Sequence, residues 1–445
     1  AGGGGGARPN VAKPRRRVPR PLSTPAAPPQ GGGGSEQRPP MPPHTVVQAV
    51  DNVTVGTCVE MCPETEVQYI DGVLNSKWSS QPGKVGYDLL PSFEGSEMKG
   101  MSGTLKHGPF RGPGPYNGKP LLPVKRWRRA AAGVDMPAHE LRTPEALIAS
   151  LAYICSDVVI DRAIEHIDTA IQDELTRWLA KDPPKDSNGD PRKRFDEAQL
   201  LQDIYLYASE HLQQIGKDVI GQALVSWEAV EVREQMSRFY IMFMHELCED
   251  PYWERESPTY GMKNGLELEA VLGETLDLYD RMRGRRYACP NEAEFCAYMV
   301  LCSMEITCVM KMRPALRTST QVLFAMKVVE AYKTNDYVAF FRLLQEEASF
   351  LQGCLMLKFV DSVRRQGLRI LARTMGTKKT IGKASNRVAL SQLVRLFAFD
   401  DVMDAGEYCA ALGYQVREAA LWLKEPFTPA EELEPYFARK MKVME

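Results

Sequence analysis

Apolar side chains recur at helical spacing from about residue 143 to residue 375, and short polar breaks separate the runs. Residues three and four positions apart share one face of a helix, so each run predicts an amphipathic helix. A clear example has its apolar face at Met236, Phe239, Tyr240, Phe243, Met244 and Leu247. No strand pattern alternates with these runs. The sequence therefore predicts an all-α fold, a superhelical array of helical hairpins.

Capping residues mark where some of these helices begin. Thr143 is a good N-cap, and Pro144 suits the first helical position that follows it. Asn291 is predicted to begin another helix, with Glu294 as its capping-box partner three residues later.

The last patterned segment changes character. Two short helices and two short strands are predicted there, at Ser391–Ala398, Val402–Leu412, Tyr414–Val416 and Ala420–Leu423. Asp400 and Asp401 suit the start of the second helix, and Gly413 suits its end. Helix, turn, helix and a small hairpin is the layout of a winged helix. The array is therefore expected to end in a winged helix.

Composition divides the chain into five parts. They are a disordered low-complexity tail (1–45), an extended arm (46–122), the helical-repeat body (123–378), the winged-helix subdomain (379–425) and a C-terminal tail (426–445). The first part is rich in glycine and proline, and such a segment buries too little apolar surface to fold. Its basic string KPRRRVPR is either a nuclear localisation signal or a solvated charged tail.

The cysteines predict a reducing environment. Most of the ten lie inside apolar helical patterns, where a free thiol behaves as a small hydrophobe. No apolar segment typical of a secretory signal precedes them, so an intracellular setting with unpaired thiols is expected. Cys58 and Cys62 are two ligands where a structural zinc needs four, so no metal or cofactor is predicted. No apolar run is long enough to span a membrane.

No arrangement of residues typical of catalysis stands out. Neither a phosphate-binding loop nor a nucleophile-elbow motif is present. His245 lies within an apolar helical stripe, where an interior histidine is expected. The chain is therefore predicted to be non-enzymatic. A helical enzyme with a site between hairpins is the alternative from another class.

Five strings resemble motifs of one family, in the same order and at similar spacing. They are GTCVEMCPETE (Gly56–Glu66), PVKRWRRAAAGVDMPAHELRTPEAL (Pro123–Leu147), RFYIMFMH (Arg238–His245), NEAEFCAYMVL (Asn291–Leu301) and NDYVAFFRLL (Asn335–Leu344). The family is SAC-three/GANP (germinal-centre-associated nuclear protein), and the chain resembles a short member. The motif residues that we single out are Cys58, Met61, Cys62, Pro63, Glu64, Asn291, Glu292, Glu294 and Phe295.

The resemblance implies a PCI-type fold and a scaffold role. Members belong to the nuclear-pore-associated transcription and mRNA export complex, TREX-two. The winged-helix end is expected to pair with a second PCI-type protein, which itself holds a small acidic DSS-type peptide. The joined winged helices are expected to bind RNA or DNA. The resemblance implies a nuclear location, at the envelope near pore complexes, with cytoplasm or centrosome left open.

The chain also departs from the longest members. It continues for about twenty residues past the predicted winged helix, which leaves no room for the long helix that recruits centrin in larger members. A centrosome- or spindle-associated scaffold of the same family is therefore an alternative. A PCI subunit of a proteasome-lid or initiation-factor complex is another, and the GTC…MCPE string argues against it.

Two basic clusters are candidate nucleic-acid sites. The first precedes and enters the predicted winged helix, at Lys378, Lys379, Lys383, Arg387 and Arg395. Its alternative is a solvated loop. The second comprises Lys125, Arg126, Trp127, Arg128 and Arg129, whose cations suit phosphates and whose indole suits base stacking. Its alternative is a helix whose basic residues pair with acidic neighbours while Trp127 packs inward.

Overall fold

Helices dominate the structure, a computed structural model that describes residues 54–64, 124–125, 136–161, 197–249, 253, 260–375 and 387–423. The helices of the body are α1 (Pro144–Ala152), α2 (Glu197–Gly221), α3 (Trp227–Glu246), α4 (Tyr260–Gly284), α5 (Glu292–Ser303), α6 (Thr307–Lys311), α7 (Pro314–Arg317), α8 (Thr320–Lys333), α9 (Tyr337–Arg342) and α10 (Phe350–Met375). A 3-10 turn precedes α1 at Ala138–Glu140, and π-helical extensions follow α1 at Tyr153–Asp161 and α9 at Leu343–Glu347. The predicted all-α fold is confirmed.

The helix starts agree with the capping signals at Thr143 and at Asp401, whose carboxylate accepts from the amides of Met403 and Asp404, but not at Asn291. Thr143 caps α1, where its hydroxyl accepts a hydrogen bond from the amide of Ala146. Asn291 precedes α5, but its side chain makes no capping bond. Its amide donates instead to the buried carboxylate of Glu234, at 2.6 Å. The predicted capping box is therefore wrong, because a buried carboxylate elsewhere in the body takes the asparagine.

Successive helices of the body pack against one another. α3 lies along α4, α4 contacts α5, and α5 contacts α8. The long helix α10 packs against α9 and also reaches back to α3 and α5. The buried residues of all these helices form one continuous apolar cluster. The last helix of the body, α10, therefore also packs against helices from the middle of the body.

A small module follows α10. It contains β1 (Arg387–Ala389), α11 (Leu390–Phe397), α12 (Val402–Ala411), β2 (Gln415–Arg417) and β3 (Ala420–Trp422). The three strands form an antiparallel sheet in the order β1-β3-β2. The two helices and the hairpin lie within one residue of their predicted positions, and β1 is an addition that the sequence pattern did not indicate.

The predicted domain boundaries near residues 45, 122, 378 and 425 lie outside the described residues. The predicted absence of a membrane-spanning run can be compared with the structure over the described part of the chain. None of the helices there combines the length and apolar character needed to cross a membrane.

Candidate functional site

The described part of the GTC…MCPE string docks on the helical body. The amide of Cys58 donates to the carbonyl of Leu141 at 3.0 Å, and its own carbonyl accepts from the amide of Thr143 at 2.8 Å. Cys58 and Cys62 are buried, and Met61 packs half-buried against the core. Over residues 54–64, the part of the arm that is described, the predicted docking is confirmed, with Cys58 and Cys62 buried and Met61 partly buried.

Gly56 is required by the close approach of the arm. Its amide donates to the side-chain oxygen of Gln222 at 2.7 Å. A Cβ atom at this position would lie 2.5 Å from the carbonyl oxygen of Leu141, which no real side chain tolerates. Of the other predicted string residues here, Pro63 is buried and Glu64 is exposed. The string is thus explained by packing against the body.

A fully buried carboxylate joins the arm region to α2. Asp218 accepts from Lys125 Nζ at 3.0 Å and from Arg142 Nε at 2.8 Å. The side-chain amide of Gln214 donates to the same carboxylate at 2.8 Å. We call Asp218, Lys125 and Arg142 the Asp218 clasp. Removing one member of such a buried pair leaves a charge without its partner, which is strongly destabilising.

The position of Lys125 in the clasp contradicts its predicted contact with a nucleic acid. Lys125 is only 2% exposed, and its ammonium group also donates to the carbonyl of Glu140. It is therefore not accessible to a phosphate, and for this residue the alternative of an ion pair holds. The other members of that predicted cluster lie outside the described residues: Arg126, Trp127, Arg128 and Arg129.

A second buried carboxylate joins α3, α4 and α5. Glu234 accepts from the hydroxyl of Tyr279 at 2.7 Å and from the amide of Asn291 at 2.6 Å. Its nearest cation, Arg238, is 3.5 Å away. Burial raises the pKa of Glu234, and the neutral donors and the cation oppose that rise. We call Glu234, Tyr279 and Asn291 the Glu234 joint.

The RFYIMFMH and NEAEFCAYMVL strings meet beside this joint. The guanidinium of Arg238 lies 3.1 Å from the carboxylate of Glu294 and 4.9 Å from the ring centre of Phe295. The hydroxyl of Tyr298 donates to the same carboxylate at 2.8 Å. Glu292 instead binds Arg283 and Arg313. All four predicted motif residues of this string therefore contribute to contacts between helices.

Most of the cysteine thiols and His245 lie in the interior. All ten cysteines are free, as predicted. Burial raises the pKa of Cys302 to about 11 and that of Cys409 to about 12, so both stay protonated and unreactive near neutral pH. His245 is interior, as predicted, and its ring contacts the carboxylate of Glu246 at 3.0 Å. Among the described residues, no cluster suits a metal ion.

An arginine from α10 fixes the C-terminal module to the body. Arg364 is buried and donates to the carbonyls of Phe397 and Ala398 at 3.0 and 2.7 Å. Its guanidinium also lies 4.0 Å from the ring centre of Phe399. Ala398 ends α11 with a φ of 49°, so the arginine satisfies carbonyls at a turn that leaves the helix.

Aromatic packing completes this contact, which we call the module junction. The rings of Tyr337 and Phe397 stack with centres 5.0 Å apart. Gly367 leaves room for them, because a Cβ atom there would overlap the ring of Phe397. From the other side, the hydroxyl of Tyr408 donates to the carboxylate of Asp361 at 2.7 Å.

Two residues of the predicted basic lead-in are described. Arg387 lies on β1 over the ring of Trp422, 4.8 Å from its centre, and 3.4 Å from the carboxylate of Glu418. Arg395 lies exposed on α11. Both are thus on the surface of the module, although Arg387 already has an acidic neighbour. Lys378, Lys379 and Lys383 lie outside the described residues.

Sequence reasoning missed the residues at the centre of these contacts. Asp218, Glu234 and Arg364 were not predicted, although each is a charged residue at a helical position that the apolar period assigns to the buried face. That interruption of an apolar stripe is the one signal from which they were recoverable.

Comparisons with known proteins found one matching family and several relatives. Residues 193–418 match the model of the SAC3/GANP family. "SAC3 family protein B" of Arabidopsis thaliana is 32% identical over 183 residues, 38% of this chain and 11% of that protein. "Protein xmas" of Drosophila melanogaster is 23% identical over 303 residues, 66% of this chain and 13% of that protein.

A third relative aligns over more of the chain. "SAC3 family protein 1" of Schizosaccharomyces pombe is 22% identical over 390 residues, which are 82% of this chain and 30% of that protein. The chain therefore spans less than a third of the length of the curated relatives it matches.

Proposed function

Because this chain belongs to the SAC3/GANP family, we propose that it is a non-enzymatic scaffold subunit of a nuclear-pore-associated complex for transcription-coupled mRNA export. The observation that carries the proposal is the extent of the family match. Residues 193–418 begin just before α2 and end in the turn between β2 and β3, so they include most of the body, the module junction and most of the module.

The proposed working surface is the C-terminal module. We infer that it is a winged helix and that it pairs with a second PCI-type protein, which holds a small acidic DSS-type peptide. Met403 and Val402, at the start of α12, support a pairing surface there: their side chains are 73% and 40% exposed. Apolar side chains that project together from a small module favour a protein interface.

A nucleic-acid contact is the second part of the proposal. Arg387 and Arg395 lie exposed on the module, and the sequence places Lys378, Lys379 and Lys383 shortly before it. Cations grouped in this way suit a phosphate backbone. The proposed location is the nucleus, at the pore.

Co-purification tests the pairing. The full chain, tagged and isolated from native cells, is expected to carry a PCI-type protein at near-equal amount. Met403→Asp together with Val402→Asp should abolish that recovery. Val59→Asp is the matched control, because Val59 is 72% exposed on the arm and far from the module in sequence. A chain that carries no PCI-type protein, or that keeps it in the double variant, overturns the proposed pairing.

A further inference from the structure

A strongly basic surface lies at the far end of α4, away from both predicted basic clusters in sequence. Seven basic side chains come from two segments of the chain: Arg281, Arg283, Arg285, Arg286, Lys311, Arg313 and Arg317. Among the described residues, the ion pairs of these seven side chains are all with the carboxylates of Asp280 and Glu292, in a chain whose formal charge is −2. We call these seven residues the arginine face.

One carboxylate joins the two segments. Glu292, whose side chain is 11% exposed, binds Arg283 from the end of α4 and Arg313 from the start of α7. The contact with Arg313 is 2.5 Å. Arg283 also binds Asp280, one turn earlier on α4. Glu292 therefore holds Arg283 and Arg313, one from each segment, beside each other.

The second segment is folded tightly on itself. Arg317 donates to the carbonyl of Met312 at 2.7 Å and to that of Met310 at 2.5 Å. This closes the turn between α6 and α7 and fixes the direction in which α6 presents its side chains. Conformational entropy that is already lost in the free protein does not have to be lost on binding.

Exposed apolar side chains accompany the charges. Met310 is 71% exposed and Ile306 is 44% exposed, and they lie four residues apart at α6. Residues with this spacing share one face of a helical turn. The same short segment therefore presents two apolar side chains and, immediately after them, the cations of Lys311 and Arg313.

We propose that the arginine face, with Met310 and Ile306, is a docking site for an acidic segment of a partner protein that carries apolar anchors. Six of the seven cations are arginines, and arginine and methionine are enriched in protein interfaces whereas lysine is depleted. Carboxylates bind guanidinium groups in pairs of parallel hydrogen bonds. Apolar anchors would cover Met310 and Ile306.

The same residues suit a nucleic acid less well. Single-stranded nucleic acids need aromatic side chains on which bases stack. Between residues 281 and 317, all of which are described, every aromatic side chain is at least partly buried, and Tyr287 packs against Trp227. A phosphate backbone also gains nothing from Met310 or Ile306. The proposed docking does not depend on the pairing of the C-terminal module.

A peptide selection tests the proposal on the full chain. A random peptide library is selected against the wild-type protein and counter-selected against the triple variant Arg281→Glu, Arg286→Glu, Lys311→Glu. These three side chains are exposed, and none of them holds Glu292 or the α6–α7 turn. The control triple Lys327→Glu, Arg342→Glu, Lys358→Glu makes the same charge change on exposed residues elsewhere.

The selected peptides are expected to be acidic with spaced apolar residues. Their affinity should fall at least tenfold in the arginine-face triple and in Met310→Asp, and by less than twofold in the control triple. Circular dichroism checks that all variants fold alike. Two results overturn the proposal: enrichment of peptides without acidic residues, or polyuridine RNA that loses the same tenfold in the arginine-face triple.

Discussion

The segment before α1 and the C-terminal module both attach to the long helices of the body through a buried arginine, but the two arginines meet different partners. Arg142 of the Asp218 clasp meets a carboxylate, beside a second buried cation, Lys125. Arg364 of the module junction meets two main-chain carbonyls and an aromatic ring. The segment before α1 is therefore held by charge, and the module is held by hydrogen bonds to carbonyls and by aromatic packing. Each attachment should fail in its own way.

The largest expected effect is loss of the clasp carboxylate. Asp218→Asn leaves Lys125 and Arg142 buried without a counter-charge, so the free energy of unfolding should fall by about 3–5 kcal/mol. Urea unfolding of the full chain measures it. Asp280→Asn is the matched control, because Asp280 is an exposed partner of Arg283 and such pairs contribute about 0–1 kcal/mol. Equal losses in both variants would contradict a segment before α1 that is held by charge.

The stability of the module junction should instead depend on side-chain volume. Gly367→Ala puts a methyl group where Phe397 and Tyr337 already lie, so it should cost about 1–3 kcal/mol in spite of the better helix propensity of alanine. Gly273→Ala is the control, since a Cβ atom there meets nothing within 4 Å. The control should gain about 0.5–1 kcal/mol. If both substitutions stabilise the chain in thermal unfolding, the junction is looser than described.

Two tyrosine-to-phenylalanine substitutions compare a hydrogen bond with ring packing in the same junction, and their expected effects on stability are smaller. Tyr408→Phe keeps the ring but removes the hydrogen bond to Asp361, which retains Arg365 as a partner at 2.7 Å. The expected loss is about 1 kcal/mol. Tyr337→Phe, which keeps the ring stacked on Phe397, should change stability by less than about 0.5 kcal/mol. A larger loss in Tyr337→Phe than in Tyr408→Phe would reverse this ranking.

The smallest effect depends on pH and concerns a carboxylate outside both attachments. The raised pKa of Glu234 means that the folded chain binds this proton more tightly than the unfolded chain. Its contribution to stability is therefore greatest at acid pH and is lost as pH rises through the raised value. Urea unfolding of wild type and Glu234→Gln between about pH 4.5 and about pH 7 should show this slope only in the wild type. A wild type that instead loses stability toward acid relative to the variant would contradict it.

The helices were predictable because their period is local. The faces of α3 and α10, the cap at Thr143 and the hairpin of the module follow from residues that are close in sequence. β1 was not predictable, since a three-residue strand shows no alternation and depends on pairing with β3.

The contacts at the candidate sites depend on residues far apart in sequence. The partners of Asp218 are 76 and 93 residues away, and Asn291 leaves its expected capping role for a carboxylate 57 residues away. A local sequence pattern does not indicate which distant residue a buried charged group will bind, because the partner is brought close only by the fold. For Lys125, the sequence left phosphate binding and ion pairing open, and the fold decides for the ion pair.

The arm also sets where new sequence can enter this protein. The amide of Lys125 donates to the carbonyl of Met61 at 2.9 Å, so two residues that are far apart in sequence are held side by side. Closing a loop costs only about 0.6 kcal/mol more for each doubling of its length. The entropic cost of holding Met61 beside Lys125 therefore changes little with the number of residues between them, and a reporter domain grafted between them should leave this contact in place.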